Sequence, residues 1–129
     1  MEMKANATGI QHLGIPTDNL EGTIAFYEKL GFEMIWRSGA DCADKVAFLQ
    51  LGSLVIETYY VDKPAKADGA IDHVALNVKD VEAAFSFCRK GGFDMLDQQV
   101  NFLLFFDKGV KFFTIRGING EKVEFNQKL

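Results

Sequence analysis

Polar and apolar residues alternate along residues 9–16 and again along residues 70–78 of this chain, and alternation of that period predicts a short strand in each place. In the first run Leu13 and Ile15 point one way while His12, Gly14 and Pro16 point the other; in the second, Val74, Leu76 and Val78 oppose His73, Ala75 and Asn77. Helical spacing follows each strand. Leu20, Ile24 and Tyr27 or Glu28 mark a first helix behind an Asp18 or Asn19 cap. Val81, Ala84, Phe85 and Cys88 mark a second behind Asp80. Gly31 and Gly91-Gly92 stop the helices. Three strands then complete each half: 32–38, 44–51 and 54–61 in the first, and 93–98, 102–107 and 110–126 in the second. Gly52-Ser53 and Asp107-Lys108-Gly109 supply turns, and Asn119-Gly120 suits a type I′ hairpin.

The two halves are one pattern written twice. Offsetting the chain by 61 residues superposes Ile10, His12, Glu21, Phe26, Lys29, Gly31, Phe32 and Met34 on Ile71, His73, Glu82, Phe87, Lys90, Gly92, Phe93 and Met95. The register holds without a gap from residue 10 to residue 34. The expected fold is α+β, with two tandem βαβββ modules at about 9–61 and 70–127 joined by a polar, Pro- and Gly-containing linker at 62–69.

Composition narrows the function. The 129 residues carry a formal net charge of −4 and no basic stripe, which argues against a nucleic-acid partner. No run of about 18 apolar residues is present, so no membrane span is expected, and the first residues lack the apolar core of a secretory signal. Two cysteines make no disulfide framework, and cytoplasm is the expected location. Cys42 is given no role, and Cys88 reads as core. The twelve phenylalanines demand large buried surfaces. Phe102, Phe105, Phe106, Phe112 and Phe113 fit core or subunit interface better than a substrate pocket. Arg37 and Arg116 at strand ends read as solvated rather than as anion receptors.

The candidate chemistry lies in four side chains. His12 and His73 are the only histidines, and they occupy equivalent positions on the strand face away from the helices. Glu57 and Glu124 each sit in a closing strand just after a glycine-centred turn, among β-branched and apolar neighbours where a lone buried charge is costly. Val55 and Tyr59 share the face of Glu57, and Asn126 that of Glu124. A single strand histidine is more often structural and a single strand glutamate more often solvated. The duplicated set favours a divalent metal held by two imidazoles and two carboxylates, with Ni, Zn, Co, Mn and Fe all compatible.

Ile10-Gln11-His12-Leu13-Gly14-Ile15, Phe26-Tyr27, Leu30-Gly31-Phe32, Val46-Ala47-Phe48-Leu49 and Ile56-Glu57 resemble the first module of the vicinal oxygen chelate superfamily. Ile71-Asp72-His73-Val74-Ala75-Leu76-Asn77-Val78, Gly91-Gly92-Phe93 and Asn119-Gly120-Glu121-Lys122-Val123-Glu124-Phe125 resemble its second. The resemblance implies curled mixed sheets around a metal-binding cavity, a small-molecule substrate and a homodimer. A His and a Glu in each module is the glyoxalase I-like arrangement. It implies an isomerase or lyase in which His12, Glu57, His73 and Glu124 bind metal and Glu124, then Glu57, moves a proton. The alternatives are an Fe-dependent ring-cleaving dioxygenase using His12, His73 and Glu124, and a non-catalytic drug-binding resistance protein. Pro16 and Val61 stand where glyoxalase I usually has Arg and Asn, which points away from a glutathione thioester.

Overall fold

In the computed structural model of the protein, which describes residues 2–41 and 45–129, the chain divides between Ala65 and Lys66 into two compact units. The first opens with a single helical turn, α1 (Met3–Asn6), which the periodicity does not foreshadow. It continues with β1 (Leu13–Thr17), α2 (Leu20–Lys29), β2 (Glu33–Arg37), β3 (Val46–Leu51) and β4 (Leu54–Tyr60). The strands form one mixed sheet in the order β1-β4-β3-β2, with β1 parallel to β4 and the other pairs antiparallel.

The second unit repeats this plan with β5 (His73–Asn77), α3 (Val81–Lys90), β6 (Asp94–Met95), β7 (Asn101–Leu103), β8 (Val110–Arg116) and β9 (Lys122–Lys128). Its order is β5-β9-β8-β6, with β5 parallel to β9 and β7 also paired to β8. Strand β6 pairs with Ile115 and Arg116, and β7 with Val110 to Phe112, so the two are successive pieces of one edge. The expected strands at 93–98 and 102–107 are therefore one interrupted edge strand. Between the pieces the ladder is kept by Leu96 N donating to Thr114 O (2.9 Å) and by Thr114 N donating to the Asp97 carboxylate (2.7 Å).

The helices begin and end at equivalent residues. Asn19 caps α2, its Oδ1 accepting from Gly22 N at 2.9 Å, and Asp80 caps α3, its Oδ1 accepting from Ala83 N at 3.0 Å. Of the two expected candidates for the first cap, Asn19 takes the position. Beyond each helix Gly31 and Gly92 adopt positive φ (+101° and +75°), where a Cβ is disfavoured.

Each core lies between helix and sheet. In the first unit Ile15, Leu20, Ile24, Tyr27, Phe32, Ala47, Leu49 and Ile56 are buried; in the second, Leu76, Val81, Cys88, Val110, Phe113, Ile115, Val123 and Phe125 are. Ile15 and Leu76 lie on the side expected to face the helices, so the alternation read in the two opening strands holds.

One local expectation is corrected. The turn before β9 is not type I′, because that turn needs two residues with positive φ and only Gly120 (+80°) has it. The chain instead closes with Gly120 N donating to Gly117 O (3.0 Å) and Gly117 N donating to Glu121 O (2.7 Å). Among the five phenylalanines, Phe113 is fully buried and stacks on Phe125, while Phe102, Phe105 and Phe106 lie exposed on their own unit. Cys42, together with Ala43 and with Asp44 at the start of the expected 44–51 strand, lies outside the described residues.

Candidate metal centre

Strand parity puts His12 and Glu57 on the face of the first sheet opposite α2. Gly14, two residues after His12, is the cross-strand partner of Glu57. The imidazole Nε2 consequently lies 3.6 Å from Glu57 Oε1, with both side chains about one-third exposed. The second unit repeats the register. Ala75, two residues after His73, partners Glu124, and His73 Nε2 lies 3.7 Å from Glu124 Oε1. Each unit thus presents one imidazole–carboxylate pair, with the glutamate in its last strand and the histidine at the start of its first, His12 immediately before β1 and His73 opening β5. Within either unit, no third His, Cys, Asp or Glu among the described residues joins the pair in a metal-sized cluster.

Both separations are longer than a hydrogen bond. They are close to the spacing of two donors on one ion: ligands about 2.1 Å from a tetrahedral centre sit about 3.4 Å apart. The donor types suit a borderline divalent cation, imidazole being the softer and carboxylate the harder ligand. A Cβ at Gly14 would stand in ordinary contact with Glu57 Oε1 (3.8 Å) and the Tyr59 ring (3.5 Å), and Ala75 fills the equivalent position of the second unit.

Neighbouring side chains complete each pair. In the first unit the His12 ring meets Phe48 edge-on at 5.5 Å, and Trp36 packs beside Phe48 at 6.0 Å. Phe48 is the cross-strand partner of Glu57, so this half-site has an aromatic wall. In the second unit Asn126 Nδ2 donates to Glu124 Oε2 at 3.0 Å, which leaves Oε1 directed at His73. Glu124 is the less exposed carboxylate, at 15% against 27% for Glu57.

The far nitrogens of the rings are also engaged. His12 Nδ1 lies 2.9 Å from Gln11 Oε1, and His73 Nδ1 lies 2.9 Å from Asp72 Oδ2. Asp72 in turn accepts from Lys122 Nζ at 3.1 Å. Hydrogen bonding to His73, then to Lys122, holds the Asp72 carboxyl below the usual carboxylate range, and Asp72 and Asp68 together raise the Lys122 ammonium. Gln11, Asp72 and Asn126 were not singled out by sequence reasoning. The available signal was adjacency: a hydrogen-bonding residue directly precedes each histidine, and Asn126 stands two places after Glu124 on the same face.

The two strand-end arginines are both held by carboxylates. Arg37 binds Glu21, and Arg116 binds Asp68 (3.3 Å) and the Gly120 carbonyl (2.6 Å). Among the described residues no helix is long and apolar enough to cross a membrane.

Residues 9–96 match the model of a protein family described as the glyoxalase/bleomycin resistance protein/dioxygenase superfamily. The chain is 28% identical over 130 residues to the uncharacterized protein YwbC of Bacillus subtilis, covering 95% of this chain and 99% of that one. A glyoxalase family protein from Enterococcus faecalis has the same fold, with a TM-score of 0.73 at 25% identity over 92% of this chain and 96% of that one. The fosfomycin resistance protein FosX of Listeria monocytogenes, solved with Mn(II) and sulfate, matches with a TM-score of 0.73 at 16% identity over 95% and 94% of the two chains.

Proposed function

Because this chain belongs to the glyoxalase/bleomycin resistance protein/dioxygenase superfamily, we propose that it is a metal-dependent isomerase or lyase that moves a proton beside a chelated oxygen of a small substrate. One observation carries the reading: the same imidazole–carboxylate pair recurs at the same strand register, 3.6 Å and 3.7 Å apart, in two duplicated units. Its metal ligands are His12, Glu57, His73 and Glu124. The Mn(II) in FosX supports a divalent ion on this fold, and Ni, Zn, Co, Mn and Fe all suit the donors.

The ion, when bound, supplies Lewis acidity that stabilises negative charge on a substrate oxygen. The chain's own residues do the rest. Glu124 takes the proton from the carbon next to that oxygen, since it is the less solvated carboxylate and Asn126 fixes its other oxygen. Glu57 is the second proton carrier. Phe48, with Trp36 behind it, gives the His12 side an apolar wall that limits water beside the reacting carbon. Pro16 and Val61 leave the glutathione-handling positions unfilled, so the substrate is another small oxygenated carbon compound. The enzyme works in the cytoplasm and as a homodimer, and the dimer is supported by exposed Met34, Ile35 and Trp36 on β2 and by exposed Phe102, Phe105 and Phe106.

The test supplies each of the five divalent ions in turn to the protein with a panel of small hydroxy- and oxo-acids in D2O. Deuterium should enter at the carbon beside the carbonyl, without oxygen consumption and not with Glu124→Gln. Oxygen consumption confined to the Fe2+-loaded protein would replace this reading with ring-cleaving dioxygenation. Stoichiometric ligand binding without exchange or metal would replace it with a resistance-type binder.

A further inference from the structure

The residues before the two histidines are duplicated with them. Gln11 and Asp72 differ by the same 61-residue offset as His12 and His73, and each places a side-chain oxygen 2.9 Å from its neighbour's Nδ1. An oxygen acceptor at that distance requires the hydrogen to sit on Nδ1 of the neutral ring. Nε2 is then left as a lone pair, facing the carboxylate of the same unit at 3.6 Å or 3.7 Å. Had the rings served only to bond the glutamates, the opposite tautomer, with hydrogen on Nε2, would be the one held.

We propose that Gln11 and Asp72 are positioning residues that fix both imidazoles as Nδ1–H tautomers with Nε2 free to act as the donor atom; this rests on the metal-binding reading given above. An acceptor behind a ligating ring is the general means of fixing its tautomer and orientation.

The two supports are unequal. No further partner of the Gln11 amide appears among the hydrogen bonds of the described residues. Asp72 belongs to a chain of charges, with Lys122 bridging Asp72 (3.1 Å) and Asp68 (3.3 Å), and Asp68 binding Arg116 (3.3 Å). Lys122 is also the cross-strand partner of His73 itself. Residue Asp68, just past the boundary between the units, is thereby tied to the second half-site. The anionic acceptor makes the His73 ring the stronger electron donor of the two.

The test is long-range 1H–15N correlation spectroscopy on the metal-free protein at a pH where both rings are neutral. Only two histidines exist, so each ring is assigned by single substitution. Both should show the Nδ1–H pattern. Asp72→Ala should shift His73 alone toward Nε2–H, Gln11→Ala should shift His12 alone, and Asp72→Asn, which keeps an acceptor oxygen, should retain the parent pattern. Metal affinity should fall by about ten- to a hundredfold in Asp72→Ala, less in Gln11→Ala, and recover substantially in Asp72→Asn. Nε2–H tautomers in the parent protein, or tautomers unmoved by either alanine, would overturn the positioning role. Tautomers that shift as described in a protein that takes up no ion would leave the positioning role standing and remove the metal reading instead.

Discussion

Asn126 fixes one oxygen of Glu124, at 3.0 Å, and so turns the other toward His73. This makes Glu124 a carboxylate with separated tasks: one oxygen anchored, the other presented. Glu124→Gln should therefore retain part of the metal while lowering turnover by about 10²–10⁴-fold, the scale of losing a positioned proton acceptor. Asn126→Ala should cost less, about tenfold, because the carboxylate stays while its orientation loosens. Turnover and bound metal measured on the same samples separate the effects. Full activity in Glu124→Gln removes that residue from the proton transfer.

The matched helix caps give a stability prediction. Asn19→Ala and Asp80→Ala should each lower unfolding free energy by about 1 kcal/mol, since each leaves one N-terminal backbone donor without its side-chain acceptor. The caps lie in different units, so in the double variant the losses should add. Urea titration followed by circular dichroism measures this; unchanged midpoints would contradict it.

Thr58 offers the opposite outcome. It is fully buried in β4 beside Ile15, and its hydroxyl is without a hydrogen-bond partner among the described residues. Thr58→Val keeps the shape and the β-branch while removing an unsatisfied polar group, so stability should rise by about 1 kcal/mol. Thr58→Ala should lower it through lost packing. A destabilised Thr58→Val would mean that the hydroxyl has a partner.

Cys88, buried on the inner face of α3, gives a pH prediction. Burial pushes its thiol from the ordinary 9.0 up to about 11, because the thiolate is poorly solvated there. Below pH 9 the thiol is neutral both folded and unfolded and adds no pH dependence. Between pH 9 and about 11 the unfolded chain releases this proton first, so stability falls as pH rises. Cys88→Ala should be less stable at neutral pH but should show a shallower decline across that window. An equal slope in both proteins would contradict the assignment.

Much of this was legible in the chain because strand parity and duplication are properties of spacing. The period-two pattern put Ile15 and Leu76 on the helix side with His12 and His73 opposite, and it separated Glu57 from Ile56 and Glu124 from Phe125, the two residues that prove to be buried. Backbone detail was less legible. The second unit's edge is interrupted between Met95 and Asn101, where the Asp97 side chain accepts from Thr114 N in place of a backbone carbonyl, and no periodicity signals this. At Asn119-Gly120 the dipeptide suggests a type I′ turn, but the chain closes through hydrogen bonds around Gly117 that the dipeptide does not reveal. The supports at Gln11, Asp72 and Asn126 depend on side-chain rotation, which residue spacing does not determine.

The most direct test is elemental analysis of gently purified protein, with the parent set beside His12→Ala, His73→Ala and the double variant. Two imidazole–carboxylate pairs per chain predict about one divalent ion per chain in the parent, a marked loss in either single variant and none bound in the double. A parent that neither retains nor takes up a divalent ion, or one whose metal content is indifferent to both histidines, would contradict the account.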